Sequence, residues 1–553
     1  MGECLEIGLC RQANRQSIDG VAMAWNFPAG TELQIVHITK WPQFLLVSTT
    51  FFQDSEWVQR GNPMALPNST LAAIRYGYGL RPGEEPPRDV EAMLGQIEEG
   101  ASEKPRFPRE GLSGRLDTAT RVISLLAAEA KARRAGNPNE DVRKETQSEA
   151  RRIYRQDAMA RLAQAIHSPL GFYERLATFW VDHFSTSVMK SLPMRMIVPL
   201  YEAQAIRPNI GGSFTQLLSD AILHPAMLIY LDQDQSVGPD SIAARRNGRG
   251  LNENLGRELL ELHTLGAGSG YTQDDVRAAA LILTGLSVDN RAMQVVYQPR
   301  FAEAGPISLL GRTYQDDEGD SQDHVLMLED LAANPKTAQH ICGKLVRHFI
   351  ADIAPEDMVG AMVAAWTKSH GNLTDVYRAM LDHPRAWSDP GQKIKQPFEF
   401  VVSGFRALDL PERNFANLLR DMDDGDDDES PVQKAMDMTG MVARQDTKRK
   451  AGRANALTLG ALQRMGQPIW QPPSPAGFPD EQSAWLTPSQ LSERISWSRT
   501  VARIFGQKME PSAFLQAALA DAAHAQTSRI IAQAPNKVHG ITMVLASPEF
   551  NRR

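Results

Sequence analysis

The sequence predicts an all-α protein: one large multi-helix domain with a minor β-hairpin insertion. Three observations predict it. Apolar residues recur at helical spacing almost continuously from Ser69 to the end. Glycine and proline fall at intervals that suit helix ends. Only the stretch 294–312 alternates with a period of two over any length beyond residue 65. The composition is ordinary for a globular chain, with 42% hydrophobic and 23% charged residues among 553.

The net charge of −7 argues against a nucleic-acid partner. Cys4, Cys10 and Cys342 form no CxxC pair, so neither a disulfide framework nor a cysteine metal site is indicated. No apolar run reaches the length of a membrane span, and no signal peptide is evident. The compartment stays open between cytoplasm and periplasm.

The expected division is an extension over 1–64 and a single helical domain over 65–553. Residues 33–52 are β-branched and aromatic around Pro42, which suits two short strands. Met64 could equally be the true start, with the residues before it an over-called upstream translation. Helices are expected at 69–77, 87–99, 115–135, 140–168, 170–187, 195–207 and 212–224. The charge of 115–135 and 140–168 suits a solvated pair, a protruding arm. QVVYQPRF and PISLLGRTY, within 294–312, suit one small hairpin. Further helices are expected at 322–333, 335–351, 355–369, 373–382, 392–409, 488–508, 511–524 and 536–546. Residues 316–324 form an acidic turn without EF-hand spacing. DMDDGDDDE, 421–429, is a solvated acidic insert. GQPIWQPPSPAGFPD, 466–480, is an extended strap anchored by Trp470, Phe478 and Trp485, suited to walling a cleft.

The densest stretch is 245–285. A basic glycine loop with Arg245, Arg246 and Arg249 leads into a helix over 251–265 that Asn252 can cap and Gly266 ends. Helical spacing puts Asn254, Glu258 and Glu261 in one narrow arc beside Arg257. Leu251, Leu255, Leu259 and Leu262 take the opposite arc. The plain reading is an amphipathic helix with a solvated face and a Glu253–Arg257 pair. The sharper reading is a cleft. There Glu258 and Glu261 act as general bases or metal ligands, and Arg245, Arg249, Arg257, Asn254 and Asp232 contact an anionic or polar ligand. His183 and His263 would carry protons. His183 can also be a buried histidine among the aromatics of 170–187. Lys344, Arg347 and His348 share one helix and read as a surface stripe. The spacing fits no di-iron, zinc, P-loop, nucleophile-elbow or dinucleotide pattern, so it names no metal or cofactor.

GRGLNENLGRELLELHTLG followed by YTQDDVRAAALILTG resembles the signature of the bacterial domain of unknown function 1800 family. Collinear segments carry the same resemblance: AAIRYGYGLRPGE, FYERLATFWVDHFSTS, AMLIYLDQDQSVGPDS, NPKTAQHICGKLVRHFIAD, KIKQPFEFVVSGFRAL, the strap and SPEFNRR. It covers roughly residues 70–553. The chain departs from the family pattern at Leu286 and Phe478, where tryptophan is common. The resemblance establishes no activity. It implies a possible partner of domain of unknown function 1501 type, sulfatase- or phosphatase-like. A helical scaffold or accessory protein for such a partner is therefore the alternative to an enzyme or ligand binder.

Overall fold

The computed structural model describes residues 68–247, 250–314, 322–424 and 449–553. The N-terminal extension, its two expected strands, Met64 and Arg249 lie outside the described residues. So does most of each acidic segment. The described chain is predominantly helical, from Asn68–Leu71 to Pro548–Asn551. None of its helices is long and apolar enough to cross a membrane.

The core gathers around the aromatic helix Gly171–His183. Trp180 is fully buried, and its ring lies 5.9 Å from both Phe184 and Phe214. Its Nε1 donates to Tyr377 Oη at 2.6 Å, and that hydroxyl donates to the Ile210 carbonyl at 3.0 Å. A buried indole thus keeps a partner for its one polar atom, as burial requires. Helices Phe214–Ile222 and Leu373–Leu381 are tied to this core through the same chain of contacts.

Gly111–Arg134 and Glu140–His167 form the expected helical pair. Gly136 turns the chain at φ 79°, and the Asn139 side chain caps the second helix through Val142 N. No residue from 123 to 145 is buried, which matches the charged sequence there. Nearer the body, Arg115 is buried with Asp157 as its partner.

The β insertion differs from expectation. There are two hairpins rather than one. β1 (Leu286–Asp289) pairs with β2 (Gln294–Tyr297), and β3 (Ile307–Leu309) with β4 (Arg312–Tyr314). QVVY therefore pairs backward with a strand that sequence periodicity hid behind the preceding helix. In the second hairpin Leu310 and Gly311 both have positive φ, 51° and 82°, as a tight two-residue turn demands. Leu286, at the family's tryptophan position, is buried in β1.

The signature helix also differs. It begins at Asn254, runs as α-helix to Glu258, and continues as a π-helical turn over Leu259–His263. Asn252 serves the helix start as expected, satisfying the N–H of Asn254 from two positions before it. The Asn252 side chain accepts from Asn254 N at 2.9 Å, while its own N–H donates to Ser236 Oγ at 3.0 Å. Close packing positions the start: a Cβ on Gly256 would sit 2.7 Å from Ala280 N. Gly266 and Gly268 follow the helix with φ 89° and 71°, as its C-terminal sequence implies.

Candidate functional site

The strap 466–480 lies against the aromatic helix. Gln467 Oε1 accepts from Phe398 N at 2.8 Å, and Trp470 Nε1 donates to Glu202 Oε2 at 2.6 Å. Trp470 holds φ 54°, a left-handed conformation costly for a side chain of that size. Phe478 N donates to Asp182 Oδ1 at 2.8 Å. Gly477 crosses directly over Asp182. A Cβ there would stand 2.6 Å from the Asp182 carbonyl oxygen, so no other residue fits without displacement.

Beneath the strap is a small cavity of about 40 Å³, lined by polar and apolar groups together, with room for one or two waters. Asp182, Ser185, Thr186, His348, Gln396 and Arg161 line it with the strap residues. Burial pushes the Asp182 carboxyl up to about 7. The negative charge of Asp480 adds to that rise, while the Phe478 N–H and Lys344 oppose it.

Behind this cavity the interior is charged. His348 Nδ1 lies 2.8 Å from Asp480 Oδ1, and its Nε2 lies 3.2 Å from an Arg175 nitrogen. Those partners make His348 a neutral Nδ1–H tautomer that donates to Asp480 and accepts from Arg175. Burial lowers its pKa to about 4, consistent with that state. Glu399 sits between Arg175 and Arg553, 3.0 Å from each. Burial acts to raise its pKa, but the two guanidiniums hold it below the usual carboxylate value. Lys393 reaches the Asp480 carbonyl at 2.6 Å. The expected surface stripe is thus largely internal: His348 is buried, Lys344 and Arg347 half-buried.

His183 and His263 meet, on a face of the aromatic helix next to that of Asp182. His263 Nδ1 donates to the His183 carbonyl at 3.0 Å, and His183 Nε2 donates to the His263 carbonyl at 3.3 Å. Lys344 Nζ donates to His183 Nδ1 at 3.1 Å. This reciprocal pair splices the aromatic helix to the signature segment. Burial first, then Lys344, lowers both pKa values: His263 to about 3, and His183 well below its usual value. Both rings are neutral around pH 7. His263 Nε2 is buried without a partner.

The other expected site residues lie at the surface of the signature segment. Asp232, in a left-handed conformation at φ 56°, is paired with Lys190 at 2.7 Å. With Gln235, Gly250, Leu251, Asn252 and Glu253 it lines an open depression of about 560 Å³. Arg257 is 3.2 Å from Glu253, the expected pair. Asn254 is exposed. Arg245 is exposed within a short helix, Ile242–Asn247, rather than in a loop. Glu258 and Glu261 are half-buried neighbours. Partial burial, then the charge of Glu261, raises the Glu258 pKa. Tyr230 and Tyr271 flank the two carboxylates, and Tyr271 hydrogen-bonds Glu261. The described lining of the depression is acidic, which suits a cationic or neutral polar group better than an anion. No cluster among the described residues has the ligands for a metal ion.

Asp182 is the residue that sequence reasoning passed over. Its one distinguishing mark was a carboxylate inside an aromatic helix, and the glycine that covers it lies almost 300 positions away. The described chain is a predominantly helical body with a proline-rich strap laid over Asp182. The family model described as "Protein of unknown function (DUF1800)" matches residues 72–552, and the chain belongs to that family. No curated protein and no solved structure matches it.

Proposed function

We propose that the protein is an acid–base enzyme acting on a small polar molecule, with Asp182 as the proton-transferring group under the strap. One observation carries this reading. Asp182 lines a small cavity of mixed polar and apolar walls, has no ion-pair partner among the described residues, and has a pKa of about 7. A carboxyl poised near neutrality exchanges protons in either direction at working pH. Ser185, Thr186 and Gln396 supply neutral donors and acceptors to orient a ligand. Entry of anything larger than water requires the strap to lift from Asp182.

The carboxylate stripe supports a second reading. Glu258 and Glu261 beside Tyr230 and Tyr271, close in sequence to a depression lined by Asp232 and Glu253, suit a ligand with several hydroxyl or amino groups. An accessory role beside a sulfatase- or phosphatase-like partner rests on the family resemblance, and the exposed helical pair 123–145 is the surface it would use.

The test follows conversion of a defined mixture of small polar metabolites by mass spectrometry. Wild type is expected to convert at least one component, and Asp182→Asn none at the same folded fraction. Equal conversion by both proteins, or none by either, overturns the acid–base reading.

A further inference from the structure

A second concave site lies on a different face of the helix that carries His348. Helix Pro335–Phe349 presents His340, Gly343 and Arg347 along one face at helical spacing. They form the floor of a groove of about 440 Å³, within the range of small-molecule pockets. The loop Leu265–Ser269, which follows the signature helix, makes one wall. Glu356 and Val359, from the start of helix Glu356–Ser369, make the other.

Three features shape this groove for an anion. Gly343 has no side chain, and the Arg347 guanidinium folds over it: a Cβ there would be 3.3 Å from Arg347 Nη1. The guanidinium therefore packs over Gly343 within the lining of the groove. Arg347 has no carboxylate within ion-pairing distance among the described residues, whereas the buried Arg175 and Arg553 are both paired with Glu399. Lys336 stands at the rim, bonded to the Ser269 carbonyl. His340 is neutral, since its Nε2 donates to the Leu262 carbonyl at 3.1 Å and burial lowers its pKa to about 4. Gly266 presses on its other nitrogen: a Cβ there would lie 2.6 Å from Nδ1. His340 thus acts as a fixed wall rather than as a charge. Ser269 Oγ is buried in the loop wall without a partner. Glu356 is the one opposing charge, and it makes no ion pair with Arg347.

We infer that this groove binds the oxyanion group of a small molecule, a carboxylate or a phosphate, through Arg347 and Lys336. A planar guanidinium with free donors suits either group, because both accept two parallel N–H bonds. Leu265, Ala354 and Val359 give the rest of the molecule an apolar bed. Glu356 sets a limit on affinity, because it repels the anion across the groove. The site is separate from Asp182, so the two stand or fall independently.

The experiment titrates full-length protein with inorganic phosphate and, separately, with acetate, by calorimetry at low ionic strength. Saturable binding of one or both is expected, and which one binds identifies the oxyanion. Arg347→Gln should weaken it roughly tenfold or more, the loss expected for a charge-assisted hydrogen bond. Glu356→Gln should tighten it. Exposed Lys368→Gln, on the same helix as Glu356, should leave it unchanged. Opposite signs at Arg347 and Glu356 cannot come from a general loss of folding. Absence of saturable binding by wild type, or equal affinity in Arg347→Gln, overturns the inference.

Discussion

Asp182 and Glu258 are carboxylates on two of the family's signature segments, and their surroundings are opposite. Asp182 is roofed by Gly477 and Phe478 and opens only into a water-sized cavity. Glu258 is half-exposed, with Glu261 beside it and water to screen the pair. Burial is the leading cause of the rise in both pKa values, and it carries the fully enclosed Asp182 to about 7. The lesson is that a carboxylate's chemistry follows from what covers it, not from the helix that carries it. The same contrast separates Glu399, enclosed by two arginines, from Glu253, whose arginine partners are half-exposed or exposed.

The largest expected effect tests whether the interior is as dry as the contacts imply. His183, His263, His340 and His348 all have pKa values lowered by burial, the last three to about 3 to 4. The folded state keeps them neutral while the unfolded chain protonates near pH 6.5. Their contribution is fully present above pH 6.5 and is lost as pH falls toward 4. Denaturation followed from pH 8 to pH 4 should show a steep fall in stability with net proton uptake on unfolding. A flat profile would mean that water reaches these rings.

Next comes the charged pair contrast. Glu399→Ala leaves Arg175 and Arg553 buried without their shared anion and should cost roughly 3–5 kcal/mol in urea unfolding. Glu253→Ala, in the partly exposed pair with Arg257, should cost at most about 1 kcal/mol. Similar costs at both positions would erase the distinction between the regions.

Trp180→Ala tests the core between them. Loss of the buried indole should cost roughly 3–5 kcal/mol, and it leaves Tyr377 Oη without its donor. Native Trp180 should also be shielded from iodide quenching.

Asp182→Asn gives an effect with a diagnostic sign. The folded pKa of about 7 lies above the unfolded value of 3.8, so wild type loses stability as pH rises from about 4 to about 7. The asparagine variant keeps an acceptor for Phe478 N and carries no charge to bury. It should match wild type at low pH and melt higher above pH 7. A variant less stable than wild type at pH 8 would place a cation, not a cavity, against Asp182.

The smallest effects belong to the signature stripe. Glu258→Gln and Glu261→Gln should each change stability by no more than about 0.5 kcal/mol at half-exposed positions. A larger gain in either would show that mutual repulsion is stronger than solvent screening allows, and would move interest back to that stripe as a binding surface.

Local chemistry determined much of this molecule. Helical periodicity from Ser69 onward, the Asn139 cap, the glycines after His263 and the Glu253–Arg257 pair each depend on neighbours within a few residues, so the sequence alone specifies them. Its register of apolar residues also identified the aromatic helix as core. Tertiary structure decided the rest. A β-strand of four residues, Leu286–Asp289, is too short to declare its period beside a helix. The π-helical turn at Leu259–His263 belongs to a segment fixed by Gly256 packing on Ala280 and His263 bonding to His183, partners that no local pattern names. His348 became internal because Asp480 and Arg175 arrive from 132 and 173 positions away to satisfy both its nitrogens. Asp182 acquired its proton affinity from a strap folded over it. Desolvation depends on which distant atoms exclude water, and sequence spacing carries no record of them.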